Sequence, residues 1–417
     1  MKVDYKRLFL IGLGFLVINT FWSVYNSYVP IFLRDIFKGH RYPGLIVGTL
    51  LTLDNIAAIT LQPYFGALSD NTWNKYGRRM PYIIFGLPIA AAAFILIPLA
   101  RTVLPLMLVA ITVGNIAMAV LRAPTVALMP DITPSQLRSK ANGVINLMGG
   151  LGALIAYFVL STLYKKSPLY PFLVTSLMMV VVAFALYYWV REEKAIEHAI
   201  IVEKGPGIIK SLVSVFKDTD TAVRNILLAI FFWFAGWSAV EAFFTTYGVE
   251  QWNLDPGTAS FYLGFFSLSF LICAIPSGFI ASKFGRRKTI QVGVAGLGLI
   301  LASFTFIEPL VLVAGLLIVG GAFWALVNIN SYPMVVDMAK SGQIGTYTGL
   351  YYFFASLAAI SAPPLVGWLM DILGIRTLFA FAFIAFFVAY GLISNVNRGE
   401  VAVPTTDITV TSSVPAE

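Results

Sequence analysis

Twelve long apolar runs follow one another along the chain, at approximately 8–32, 43–69, 80–99, 102–128, 140–162, 169–190, 224–247, 257–282, 289–307, 309–335, 345–370 and 375–395. Each is close to or above the roughly 20 residues that a helix needs to cross a bilayer. Backbone amides inside a bilayer must be satisfied by the protein itself, which leaves helices and closed barrels. Barrel strands alternate apolar and polar residues over about ten positions, whereas these runs are continuous. The sequence therefore specifies an all-α polytopic membrane protein with twelve transmembrane helices. The first run is too long for a signal-peptide core and has no cleavage pattern after it, so it reads as a retained span. With 59% hydrophobic and 12% charged residues, two soluble domains made from 417 residues could not hide so much apolar surface.

Charge gives the expected orientation. The loops "NKYGRRM", "SQLRSK", "REEKAIEH", "SKFGRRKT" and "MAKSG" all fall on one side of a regularly weaving chain. That side is predicted to be cytoplasmic, with both termini inside and the protein in the cell membrane. Arg34, Lys38, Arg41, Lys165 and Lys166 fall on the other side, but the dense basic triplets outweigh them. Topology thus accounts for the net charge of +8 without a nucleic-acid partner. One cysteine, Cys273, excludes an intramolecular disulfide and a thiolate metal cluster. His40 and His198 are not spaced to hold a metal, and there is no nucleotide-binding glycine loop. An ATP-driven pump or a membrane hydrolase is disfavoured, and the expectation is a non-enzyme with no cofactor or metal.

The chain divides in two. Residues 191–223 form a polar connector between six spans in 1–190 and six in 224–395. Within it, "GIIKSLVSVFKD" (207–218) carries an apolar stripe that suits a helix lying on the membrane surface, although a plain tether fits as well. Residues 396–417 have few large apolar groups and two prolines, which predicts a disordered tail. The halves also repeat one motif, "GALSDNTWNKYGRR" (66–79) after the second run and "GFIASKFGRRK" (278–288) after the eighth. A duplicated six-span unit is the signature of a carrier whose halves rock about a central site. Asp70, Arg78, Arg79, Arg286 and Arg287 are the gating candidates of these loops, with Ser282 near the place of Asp70 in the second copy. The blander reading is that the arginine pairs only enforce topology. Asp131 and Asp337 end runs four and ten at equivalent places, suited to bond the loop arginines or simply to be solvated.

The first loop copy and the two-half layout resemble the major facilitator superfamily. Three segments narrow the resemblance to the glycoside–pentoside–hexuronide group and its sucrose/proton symporter-like branch. They are "QPYFGALSDNTWNKYGRRMPYI" (62–83), "LRAPTVALMPDITPSQLRSKANGVINLMGGLG" (121–152) and "GGAFWALVNINSYPMVVD" (320–337). The resemblance implies two pseudo-symmetric six-helix bundles and secondary transport of a glycoside, commonly with protons. The arginine that plant relatives associate with sugar recognition falls on Arg122, and the branch's following aspartate on Asp131. Two departures stand out. Where the branch tends to carry Thr-Asp near the end of helix seven, this chain reads "FFTTYGVE" (243–250). Gln62 precedes Pro63, and the nearest carboxylate is Asp54, which argues against the sodium site of melibiose-type members.

Three ionisable residues lie inside apolar runs: Asp54, Arg122 and Glu241. A charge at bilayer depth is costly and faces a partner or a watery path. Arg122 offers five fixed donors for sugar hydroxyls or an internal carboxylate; the structural alternative is an ion pair with Asp54 or Asp131. Asp54 and Glu241 are the candidates for proton coupling, against the alternative of permanent polar contacts between helices. Sugar sites combine hydrogen bonding with aromatic platforms, and asparagines in apolar helices need partners. Solute contacts are therefore expected from Arg122, Trp22, Asn26, Asn146, Trp237, Asn328, Asn330 and Tyr351, although helix packing explains any single aromatic equally well. The expected partners are a disaccharide, a coupling proton and the bilayer, for a monomer. The alternatives are a facilitator of another solute, such as a drug or organic anion, and a sugar sensor without flux.

Overall fold

The computed structural model describes residues 5–133, 138–190, 192, 221–307, 309–339 and 343–399. The surface helix expected over 207–218 and the tail beyond 399 lie outside these residues. Twelve helical segments follow in order: α1 (Tyr5–Phe37), α2 (Pro43–Leu51 and Leu53–Asn71), α3 (Met80–Leu99), α4 (Leu104–Ile132), α5 (Arg138–Leu154, Ile155–Leu160 and Ser161–Tyr164) and α6 (Leu169–Trp189) in the first half. The second half holds α7 (Thr221–Gln251), α8 (Pro256–Phe284), α9 (Arg286–Ser303), α10 (Leu310–Val336), α11 (Ile344–Leu373) and α12 (Thr377–Ser394). Among the described residues, 11 helices are long and apolar enough to cross a membrane. The remaining one, α9, has 18 residues and opens on Arg286, Arg287 and Lys288, which shortens its apolar stretch.

Two helices depart from regular α geometry. In α2 the run breaks at Thr52, whose amide is shared between the carbonyls of Gly48 and Thr49, both at 3.3 Å. The break puts Asp54 in the first turn of the second piece. In α5, Ile155–Leu160 is a π-helical turn; such turns insert one residue and are frequent at functional sites.

Packing repeats with the sequence. In the first half α1 packs on α5 and α6, α3 on α4 and α6, and α2 on α4. In the second half α7 packs on α11 and α12, α9 on α10 and α12, and α8 on α10. Adding six to each helix number converts one set into the other, so the duplicated sequence is a duplicated fold. The halves meet along α1·α7, α2·α11 and α5·α8; the same exchange maps the first onto itself and turns the other two into each other.

One end of the bundle carries the loops around Arg78 and Gly285 and residue Glu192, and is called the connector end below; the other is the distal end. The half-to-half contact is concentrated distally. The distal piece of α2 buries Gly44, Val47, Gly48 and Leu51, whereas its connector-end piece buries Ser69 alone. In α8, seven residues from Gly257 to Ser269 are buried, followed only by Ser277 and Ala281. The two halves are thus pressed together distally and parted toward the connector end. Residues 396–399, assigned to the tail by the sequence, are held in place: Val396 is buried and Asn397 accepts a hydrogen bond from Arg287 at 3.1 Å.

Candidate functional site between the halves

Glu241 of α7 accepts a hydrogen bond from Asn26 Nδ2 of α1 at 3.1 Å, directly joining the halves. Tyr157, in the π turn of α5, and Asp54 of α2 are within electrostatic reach of the same carboxylate. Asp54 is also within reach of Arg122 and Tyr25, and Arg122 of Tyr352 on α11. Six helices, α1, α2, α4, α5, α7 and α11, therefore converge three formal charges and several polar groups on one space. Above it, Ser27 and Ser260 close the gap with a 2.9 Å bond, so the Asn26–Glu241 pair forms a roof. Arg122 and Asp54 lie on the parted side.

Local structure sets each group. Asp54 Oδ1 accepts from the amide and side-chain nitrogen of Asn55 at 2.6 and 2.8 Å, which the helix start after Thr52 makes possible. Arg122 follows Leu121, which is fully buried on the other face of α4, and is itself exposed. Among the described residues it has no hydrogen bond or ion pair, so its donors remain available. The structural pair with Asp131 considered from the sequence is not formed, because Asp131 is bonded to Arg79 at 2.8 Å and to Arg78 at 2.8 Å.

The remaining candidates separate into two groups. Trp22, one turn before Asn26, is half-buried, and its indole N–H has no partner among the described residues. Asn115 Nδ2 donates to the Tyr25 hydroxyl at 3.3 Å and keeps an unpartnered Oδ1. These are donors and acceptors left over for water or solute. Asn146 is exposed on α5, but its side chain donates to its own helix at Asn142 O, 2.8 Å away. Asn328 is half-buried on α10, with its carbonyl accepting from Ser331. Asn330 and Tyr351 belong to the packing of the second half: Asn330 donates to Leu326 O at 2.9 Å and reaches Ser277 of α8 at 3.5 Å, and Tyr351 pairs with Ser331 at 3.1 Å. Trp237 is stacked between Phe266 at 4.5 Å and Trp324 at 5.0 Å. With both ring faces covered, it has only its edge to offer.

At the connector end the duplicated loops organise each half. Arg79, almost fully buried, donates to Asp131 of α4, to Asp70 and Ser69 of α2, and to Gly66 O at 3.2 Å. Burial opposes its charge, but the hydrogen bonds and charges of Asp131 and Asp70 outweigh that and hold its pKa above the ordinary value. Glu192, just past α6, caps α3 by accepting from the amides of Arg78, Arg79 and Met80 at 2.7, 2.8 and 2.7 Å. Gly77 has φ of +113° beneath it, and a Cβ there would stand 2.7 Å from Glu192. In the second half Arg286 pairs with Asp337, and Arg287 reaches Ser394 O and Asn397 beyond α12. Ser282 donates to Phe279 O of its own helix at 2.8 Å. These arginine–aspartate pairs tie helices of the same half. Tyr157, Asn115 and Glu192 were not singled out by sequence, since a lone tyrosine or asparagine in an apolar run, or one acid of a charged connector, carries no distinguishing pattern.

Comparison with known proteins supplies the family. The profile of the Major Facilitator Superfamily matches residues 11–363 and 249–400. An isoprimeverose transporter of Lactiplantibacillus pentosus is 24% identical over 309 residues, covering 70% of this chain and 62% of that protein. A class H tetracycline resistance protein of Pasteurella multocida is 24% identical over 262 residues, covering 60% of each chain. The chain thus spans about six-tenths of these relatives' length. Among solved structures, a mutant of the nucleoside transporter NupG superimposes with a TM-score of 0.76 at 14% identity, covering 93% of this chain and 99% of that one. From the profile match over nearly its whole described length, on a fold shared with transporters, the chain belongs to the Major Facilitator Superfamily.

Proposed function

We propose that this protein is a secondary active transporter of a glycoside of disaccharide size, such as sucrose or maltose, coupled to protons and working by alternating access. The observation that carries this reading is the group formed by Asp54, Arg122, Glu241 and Asn26, drawn from both halves into a space closed distally and parted toward the connector end. A guanidinium without a hydrogen-bond partner among the described residues, within reach of Tyr352, and an orphan indole N–H suit a neutral polyol, whose hydroxyls accept from Arg122 and Trp22. Glu241 is the coupling residue in this reading. Charged, it accepts from Asn26 and holds α7 to α1; once it takes a proton, that bond weakens and the halves are freer to reorient. Asp54 is the second titrating candidate, balanced by Arg122. The isoprimeverose transporter among the relatives supports a glycoside. In this reading the basic connector end faces the cytoplasm, and the parted space between the halves opens to the inside.

The similarity to tetracycline resistance proteins favours one other reading, export of a drug-like solute. Competition separates the two. Proteoliposomes preloaded with labelled sucrose or maltose are expected to exchange it against an unlabelled disaccharide, and a lipophilic cation is expected not to compete. Exchange blocked by the cation and indifferent to every disaccharide would move the assignment to the exporter.

A further inference from the structure

The distal closure is made twice, by two contacts that the internal repeat makes equivalent. Each brings the start of one helix against the end of another in the opposite half: α2 at Pro43-Gly44 against α11, and α8 at Pro256-Gly257 against α5. Both glycines are needed for the approach, since a Cβ on Gly44 would stand 2.5 Å from Gly367 O and one on Gly257 2.5 Å from Ser161 O. The two contacts differ in how the exposed amides at the helix start are satisfied. The first amides of a helix have no partner within it and take a side-chain acceptor where one is near.

In α8 the helix serves itself. Asp255 is its N-cap and accepts from Thr258 N at 3.0 Å. The opposite half adds only Lys165, at 3.8 Å from Asp255, with both side chains about half exposed. In α2 the N-cap position is Tyr42, and no side chain of its own caps the helix. The cap comes from the other half: Asp371 of α11 accepts from Gly44 N at 2.8 Å and Leu45 N at 2.9 Å, one amide on each carboxylate oxygen. Parting α5 from α8 therefore breaks an exposed ion pair, which contributes little. Parting α2 from α11 strips a helix of its cap and leaves a carboxylate without its two charge-assisted bonds.

We propose that Asp371 is the latch of the distal gate, a positioning residue that favours the state open at the connector end by capping, across the gate, the helix that must move to open it. The inference rests on the alternating-access part of the reading above and is independent of the solute. Asparagine at 371 keeps the shape but turns one acceptor into a donor facing an amide. Alanine at 371 removes both acceptors without adding a donor or bulk.

The test uses the full chain in lipid nanodiscs on a Cys273→Ser background, with spin labels at Lys38→Cys and Arg376→Cys for the distal end and at Lys75→Cys and Lys283→Cys for the connector end. Asp371→Asn is expected to lengthen the distal distance and shorten the connector-end distance, shifting the ratio of the two states by about tenfold toward distal opening. Asp371→Ala should shift it the same way, and Asp371→Glu should stay near the parent distribution. If Asp371→Asn does not fold, Asp371→Ala decides. Parent-like distances in the folded variants, or an equal shift from Lys165→Ala, would overturn the proposal. The distances need no solute, so a wrong solute assignment would show as absent exchange with the distance shifts intact.

Discussion

At the distal end, Arg34, Lys165 and the first amides of α2 find acidic partners on the opposite half, in Glu250, Asp255 and Asp371. At the connector end, Arg79 and Arg286 bind Asp131 and Asp337 of their own halves. The same chemistry thus does two jobs. Distal charges join the halves, while connector-end charges make each half rigid enough to move as one body. The loop arginines that the sequence offered as gating candidates are bonded to aspartates of their own halves, and acids at the distal end join the two halves.

Four expected outcomes break or sharpen this contrast. The largest concerns the space between the ends. Arg122→Ala should lower solute exchange about 100-fold, because two charge-assisted bonds are worth about 1.5–3 kcal/mol each; Arg122→Lys should recover only part of it. Measured at saturating solute as well, a binding role predicts that more of the loss falls on affinity than on maximal rate.

Second, the close approach at the distal end can be forced apart. A side chain on Gly48 meets the backbone of Pro363 and Pro364, which cannot give way as a flexible side chain would. Gly48→Leu should cost about 1–3 kcal/mol of distal closure. A cysteine placed at Ser27, buried in the parent, should then react with a membrane-impermeant thiol reagent about tenfold or more faster. An unchanged rate would mean that the α2·α11 contact does not control access.

Third, the connector-end networks should differ in weight. Arg79 is 5% exposed against 17% for Arg286, and its partner Asp131 is 22% exposed against 48% for Asp337. Breaking the more buried pair with Arg79→Ala should destabilise the protein by about 3 kcal/mol. Arg286→Ala should cost about 1 kcal/mol. Thermal unfolding in detergent ranks them, and the reverse order would contradict the assignment. Neither change should move the distal spin-label distance as Asp371→Asn does.

The smallest effect is expected at Lys165. Lys165→Ala should change stability by under about 1 kcal/mol. Burial pushes the Asp255 carboxyl up, but donors from Thr258 and the Lys165 charge hold it below its ordinary value of 3.8. A depressed carboxylate contributes stability that is complete above that ordinary value and is lost as pH falls below it. Asp255→Asn should therefore lose that small contribution near neutrality and show less acid-side loss of stability below about pH 3.8, the parent and variant converging at low pH in thermal unfolding.

Much of the fold was legible, because membrane helices must satisfy their own backbones and so advertise themselves as long apolar runs. Asp54, Arg122 and Glu241 stood out for the same reason, as ionisable groups that lipid would not tolerate. What the sequence could not give depends on neighbours brought by tertiary packing. Asp371 reads as the polar end of a helix, and nothing near it in sequence says that it caps α2, more than 320 residues earlier in the chain. Trp237 reads as an aromatic platform until Phe266 and Trp324 are seen to cover both faces. The break at Thr52 falls in an apolar stretch without glycine or proline at that point, so no local signal marks it.

The most direct test of the account records disaccharide uptake and luminal pH together in proteoliposomes under an imposed inward proton gradient. The account predicts uphill uptake with solute-dependent acidification, both lost in the double variant Asp54→Asn with Glu241→Gln, while exchange at equal concentrations survives. Uphill accumulation unchanged in that double variant, or disaccharide entry without any proton, would contradict it.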